Sequence, residues 1–248
     1  MDTSKLLENL KSNQYNINLG GLEITISDSI VVMWMIMIVI IALAYVLTRN
    51  LKPIPEGKQI AAEYIVETIN SFFKQTIGHH WKPFAPYLGT ILIFLVFANT
   101  VSLFNIIPSG ELLYSLTHFE IFKHFHFHVS PPTKDINITA ALAVMSIFLV
   151  IGSGIIIKGP IAFLKSFFEP LWIMLPFKIL DYFSRPLSLC MRLFGNVFAA
   201  YVLMELIYMI FPLIIPAIFS IYFDLFDGGL QAFIFVFLTS IYISETVE

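Results

Sequence analysis

The chain has 248 residues, of which 58% are hydrophobic and only 12% charged, against roughly 25% charged in a typical soluble domain. That composition excludes an ordinary soluble fold and predicts an all-α, polytopic membrane protein. A net charge of −3 gives no hold on nucleic acid, and a single cysteine, Cys190, excludes an intramolecular disulfide.

Residues 1–27 read as a polar N-terminal segment, expected outside the membrane. They lack the charged start, short apolar core and cleavage site of a signal peptide. From residue 28 onward a single membrane domain is expected. It has about five membrane helices, over 28–48, 86–107, 136–157, 177–211 and 217–244, plus one interfacial helix over 59–77.

The first apolar run, Ile30 to Leu47, is long enough to span. Arg49, Lys52 and Lys58 follow it, and Pro53 and Pro55 break it. By the positive-inside rule that end is cytoplasmic. Between residues 59 and 77, Ile60, Tyr64, Ile65, Ile69, Phe72, Phe73 and Ile77 recur at helical spacing. Glu63, Glu67, Asn70 and Lys74 lie between them. This amphipathic helix is too polar to cross and is expected to lie in the interface; packing on a partner subunit is the alternative. His79 and His80 do not share a helix face, so they make no metal pair.

The second span carries Asn99 and Asn105 and ends at Pro108-Ser109-Gly110. An amide within a span usually bonds a neighbouring helix. An external loop follows, with His118, His124, His126 and His128. Without cysteine or a helical HxxxH spacing it is read as an amphipathic loop on the membrane surface, and no metal site is expected. The third span begins near Asp135 and Asn137 and carries Thr139 and Ser146. Lys158 and Lys165 then return the chain to the cytoplasm. Arg49, Lys52, Lys58, Lys74, Lys82, Lys158 and Lys165 fall inside in this topology, and Lys5, Lys11, Lys123 and Lys134 outside.

After Pro176 a helix can run to Phe211, about 35 residues or roughly 52 Å at about 1.5 Å per residue. The hydrocarbon layer is only about 30 Å thick. The helix must therefore tilt strongly or bend at Pro186. Pro212 and Pro216 turn the chain into a second helix that is also too long to cross upright. The last two helices form a long, tilted hairpin.

Inside the first of these lies Arg192, in an otherwise apolar stretch. An arginine at membrane depth costs about 3 to 17 kcal/mol, depending on the reference state. A leucine would pack better, so the arginine reads as functional, facing a water-filled path or a partner carboxylate. At about 100° per residue, Asn196 lies about 40° from Arg192, one turn on. Gly195 and Ala199 flank that face and would let another helix come close. Glu205 points the other way and shares its face with Tyr201. On the second long helix Asp224, Asp227 and Gln231 fall at i, i+3 and i+7. Glu205, Asp224 and Asp227 then read as an aqueous inlet leading towards Gln231 and Arg192; carboxylates at a solvated helix end are the plain alternative. Asp181 is either an inner exit or a local partner of Lys178 or Arg185. Cys190 reads as a small packed side chain.

The stretch SRPLSLCMRLFGN, Ser184 to Asn196, resembles the signature of subunit a of rotary F-type ATP synthases. The resemblance extends to LQAFIFVFLTSIYI, Leu230 to Ile243, to KDINITAALA at the third span and, more loosely, over most of the chain. It implies that Arg192 is the fixed charge facing a rotating ring of c subunits, each with a membrane carboxyl group. It implies a long hairpin curved along that ring, with Gln231 near the arginine. Some family members place an acid or histidine where this chain has Tyr201, and relatives carry histidine or glutamate where it has Asp224. Many have an acid near Asp181. The c-ring, the b-subunit peripheral stalk and the other ATP synthase subunits are the implied partners, beside the lipid bilayer. H⁺ or Na⁺ is the implied cargo, and bacterial plasma membrane, or alternatively mitochondrial inner membrane, the location. No cofactor is expected. The chain carries no GxxxxGK[ST] loop, so it is read as ion-translocating and not itself catalytic for ATP. A secondary transporter or channel is the rival class, but it would show an internal repeat and a midplane substrate site. A membrane scaffold would survive loss of the arginine charge.

Overall fold

The computed structural model describes residues 14–19, 22–49, 51–106, 131–168, 173, 175–210 and 215–247. Its membrane part is all helical, as expected. Among the described residues, five helices are long and apolar enough to cross a membrane: Asp28–Thr48, Ala85–Leu103, Ile136–Lys158, Leu175–Tyr208 and Ile215–Val247. The histidine-bearing loop over 111–134 falls largely outside the described residues, as do Pro108 and Pro212.

The polar segment before the first span is not without structure. Strands β1 (Gln14–Leu19) and β2 (Leu22–Ser27) form an antiparallel hairpin that pairs Tyr15 with Ile26, Ile17 with Ile24 and Leu19 with Leu22. The apolar residues alternate with Gln14, Asn16, Asn18, Glu23 and Thr25, the period that a pleated strand requires. Gly20-Gly21 lies between the two strands in sequence, a common hairpin signal.

Helix α1 (Asp28–Thr48) buries only Ser29, Val32 and Ile36, and most of its remaining apolar side chains are exposed. Helix α2 (Lys58–Ile77) is the amphipathic one. Gln59 fixes its start: the Lys52 N–H donates to Gln59 Oε1 at 3.0 Å, and Gln59 Nε2 donates to the Lys52 carbonyl at 2.9 Å. Its apolar face does not behave uniformly. Phe73 and Ile77 are buried and the Phe72 ring packs at a tilt against Phe233 and Phe237, whereas Ile60, Tyr64 and Ile65 stay exposed. Gly78 ends the helix at φ 76°, where a side chain would be strained.

Helix α3 (Ala85–Thr100) tightens into a 3₁₀ segment, Val101–Ile106. Helix α4 (Ile136–Lys158) follows a short 3₁₀ turn, Pro132–Lys134. Gly159, at φ 83°, turns it into the short helix α5 (Pro160–Ser166), which starts on proline. Helix α6 (Leu175–Ile210) is 36 residues long and runs unbroken through Pro186. The Tyr182 carbonyl loses its ring-closing partner there, because proline has no N–H to donate.

The last span departs from the expected single α-helix over 217–244. It comprises α7 (Ile215–Ser220), a π-helical segment over Ile221–Asp227, and α8 (Gly228–Val247). By packing, the chain divides into two compact units. One holds the hairpin, α1 to Ile38, the stretch Leu95–Asp135 and Phe194–Gln231. The other holds Val39–Phe94, Ile136–Leu193 and Ala232–Glu248.

Candidate ion path

Within the first unit, polar groups from three stretches converge on one cavity. Asn99 and Ser102 come from the second span, Asn196, Tyr201, Glu205 and Tyr208 from α6, and Asp224 and Asp227 from the π segment. Its volume is about 30 Å³, room for water or a small ion but not for an organic ligand. Five of the sequence-predicted site residues meet here: Asn196, Tyr201, Glu205, Asp224 and Asp227. Asn196 Nδ2 donates to Asp227 Oδ2 at 2.7 Å. Tyr201 hydrogen-bonds Glu205, one turn along the same face. Asp224 accepts from the hydroxyls of Ser220 and Ser102.

The π segment explains how both aspartates reach this cavity. A π turn takes about one more residue than an α turn and is used mostly at functional sites. The count of i, i+3 and i+7 assumed an α-helix, and it placed Gln231 on the same line. The structure brings Asp224 and Asp227 to the cavity but leaves Gln231 out of its lining. Gln231 is 5% exposed, and its Nε2 has no hydrogen-bond partner among the described residues.

A buried amide braces the end of the segment. Asn99 Nδ2 donates to the Gly228 carbonyl at 2.9 Å, and Thr133 Oγ1 donates to Asn99 Oδ1 at 2.7 Å. The backbones approach so closely that a Cβ on Gly228 would lie 2.9 Å from Asn99 Cβ, whereas Gly229 faces open space. Asn99 therefore does bond a neighbouring helix, as an amide in a span is expected to.

Arg192 has a different setting. It is exposed, and it makes no hydrogen bond or ion pair with any described residue. Ser184, Ser188, Gly195 and Ala199, which with Arg192 between them fall every three or four residues along α6, are exposed on its face, and nothing lies within 4 Å of where a Gly195 Cβ would be. The opposite face is packed: Leu189, Cys190, Leu193 and Val197 are buried. Cys190 is a buried thiol 3.7 Å from Thr139 Oγ1.

Asp181 takes the local pairing. Arg185 Nε donates to Asp181 Oδ2 at 2.9 Å, and Arg185 Nη2 also lies 2.8 Å from Glu245 Oε2. The guanidinium rests 4.6 Å from the centroid of Tyr242, and Lys178 Nζ donates to the Ser166 carbonyl. Glu245 was not anticipated, because nothing local in sequence links the end of α8 to the start of α6.

Two polar residues of the cavity lining, Tyr208 and Ser102, and one beside it, Lys134, escaped the sequence reading of the inlet. Tyr208 lies three residues after Glu205 and Ser102 three after Asn99, so both were legible from helical spacing. Lys134 was counted only as an outer charge. Its amine sits 4.2 Å from the centroid of the Tyr201 ring.

Comparison with known proteins follows the same lines. A profile of the family described as ATP synthase A chain matches residues 30–244. The chain is 32% identical over 231 residues to the ATP synthase subunit a, sodium ion specific, of Propionigenium modestum, an alignment covering 92% of this chain and 75% of that one. This chain therefore belongs to the ATP synthase A chain family, the ion-channel subunit of the stator in the membrane sector of the ATP synthase.

Proposed function

We propose that the Arg192 face of α6 is the stator surface that meets a ring of c subunits, and that the polar cavity is one of two half-channels feeding it. The carrying observation is the contrast along α6. Arg192 is exposed and unpaired among small residues, while Asn196, Tyr201 and Glu205 turn towards an acidic cavity. A neutral carboxyl on a ring subunit can face lipid, but an ionised one cannot at tolerable cost. Arg192 would favour the charged form of each arriving carboxyl and so set where it gives up its ion. The same fixed charge would block leakage between the half-channels. An ion entering through Glu205, Asp224 and Asp227 would load a ring carboxyl, travel round, and leave by the second path.

The remaining subunits supply what this chain lacks. The b-subunit stalk would hold it against torque, and ATP chemistry would reside in the soluble head. N-terminal residues 1–27 lie outside in this topology, and the location is a bacterial plasma membrane. The cargo is H⁺ or Na⁺, and the Na⁺ dependence of ATP hydrolysis by the assembled complex at fixed pH distinguishes them. Arg192→Ala tests the central assignment. The complex should assemble while ATP-driven pumping in membrane vesicles falls to background. Arg192→Lys should also fail, because it keeps the charge but loses the planar fork. Normal pumping by Arg192→Ala complexes would refute the reading.

A further inference from the structure

A basic side chain stands beside the acidic cavity. Pro131 and Pro132 are buried and set the short 3₁₀ turn that presents Lys134. Its ammonium lies 4.2 Å from the centroid of the Tyr201 ring, within the range of a cation–π contact. Tyr201 and Glu205 both line the cavity. Carboxylates bear on the same amine from three other places: Glu205 on α6, Asp28 at the start of α1, and the adjacent Asp135. Ser27 Oγ donates to Asp135 Oδ2 at 3.4 Å and so steadies that carboxylate. Lys134 is half-buried, and burial pulls its pKa below the ordinary lysine value while the three carboxylates oppose the shift.

Carboxylates beside an aromatic face form an electrostatic well for any small cation, metal or ammonium. In this chain the well already contains a cation on a covalent tether. A metal ion could enter only by displacing Lys134 or by sitting against a like charge. A proton meets a lower barrier, because it moves between carboxylates and water without occupying the well as a separate ion. We propose that Lys134 is a specificity-determining residue, a tethered cation that holds this well and keeps metal cations out of the cavity. The inference rests on the reading of the cavity as a half-channel, and it names the proton as the cation that half-channel admits.

The test uses the complete complex reconstituted into liposomes, with ATP-driven proton pumping followed under added NaCl or LiCl on both sides. Choline chloride holds ionic strength constant, and each variant is normalised to its own rate without added metal salt. Wild type and Lys134→Arg should be indifferent to both salts over the whole range tested, whereas Lys134→Gln should be half-inhibited at or below one tenth of the highest concentration used. Lys134→Cys gives a second route: a reagent that appends an aminoethyl group should restore indifference, and a neutral methylthio reagent should not. An unchanged salt response in Lys134→Gln, Na⁺ transport by the wild type, or failure of the aminoethyl group to restore indifference would overturn the proposal. Glu205→Gln and Asp227→Asn are measured alongside. If both pump normally, the half-channel reading itself falls. If both are impaired while Lys134→Gln keeps the wild-type salt response, only the guard role falls.

Discussion

Asn99 shows how one buried amide can hold a functional segment in place. Its two polar ends are spoken for, by Gly228 and Thr133, and the three residues are buried together. Asn99→Leu would leave the Gly228 carbonyl and the Thr133 hydroxyl without partners. An unsatisfied buried group costs about 1–3 kcal/mol, and interhelical hydrogen bonds in membranes run nearer 0.6 kcal/mol. Asn99→Leu should therefore destabilise the subunit by about 2 kcal/mol, read as a lower unfolding midpoint in detergent. Gly228→Ala should be comparable, because its methyl group would overlap Asn99 Cβ. A wild-type midpoint in both variants would show that the brace contributes nothing. Lys134 carries a pH signature at the same scale. Its lowered pKa means that it loses its charge at a lower pH than an ordinary lysine, with Glu205, Asp28, Asp135 and Tyr201 as the titratable groups facing it. Salt sensitivity of the wild type should therefore emerge as pH rises, and Lys134→Gln should be sensitive throughout.

The π segment is where reading by period reached its limit. Long apolar spans are legible because lipid demands length and hydropathy. The structure's Asp28–Thr48 and Ile136–Lys158 match the expected 28–48 and 136–157 within a residue. A π turn has no such signature in IYFDLFD. It is coupled to a hydrogen bond from Asn99, 129 residues away in sequence. So Asp224 and Asp227 were legible as carboxylates in a span, but their geometry against Gln231 was not. The β1–β2 hairpin shows the opposite case. Its alternation and the Gly-Gly pair between the alternating runs lie in plain sight of the sequence, but a composition average over 1–27 registers only polarity. The segment also makes a prediction. If the cavity is a half-channel, Asp224, Asp227 and Glu205, which line it together, share the passage of the ion. Asp227→Asn should impair pumping more than Asp224→Asn, because Asp227 is the one tied to Asn196. The double variant should be worse than either and should shift the pH profile of pumping. Unchanged rates and profiles in all three would reduce both aspartates to a polar lining.

For the molecule as a whole, the exposed, unpaired Arg192 implies a conflict between the stability of the free chain and the function of the assembled one. The packed face of α6 is complete, and Arg192 takes no part in it. A charge at membrane depth without a partner costs about 3 kcal/mol on insertion scales, part of which long side chains recover by reaching for water. In the complex, a ring carboxylate would offset that cost; in the lone subunit nothing among the described residues does. Sites that store such a cost are where stabilising substitutions destroy activity. Arg192→Leu should therefore raise the stability of the isolated subunit in lipid nanodiscs by about 1–3 kcal/mol, read as a higher thermal midpoint, while abolishing ATP-driven pumping in the complex. Arg192→Lys should abolish pumping without the gain in stability, because it keeps the charge. The two readouts separate the explanations. If Arg192→Leu gains no stability, the arginine is already solvated within the chain, and its need for an external carboxylate loses its thermodynamic basis. A gain in stability confined to the free subunit, and absent in the assembled complex, is the pattern expected of a residue whose partner lies on another chain.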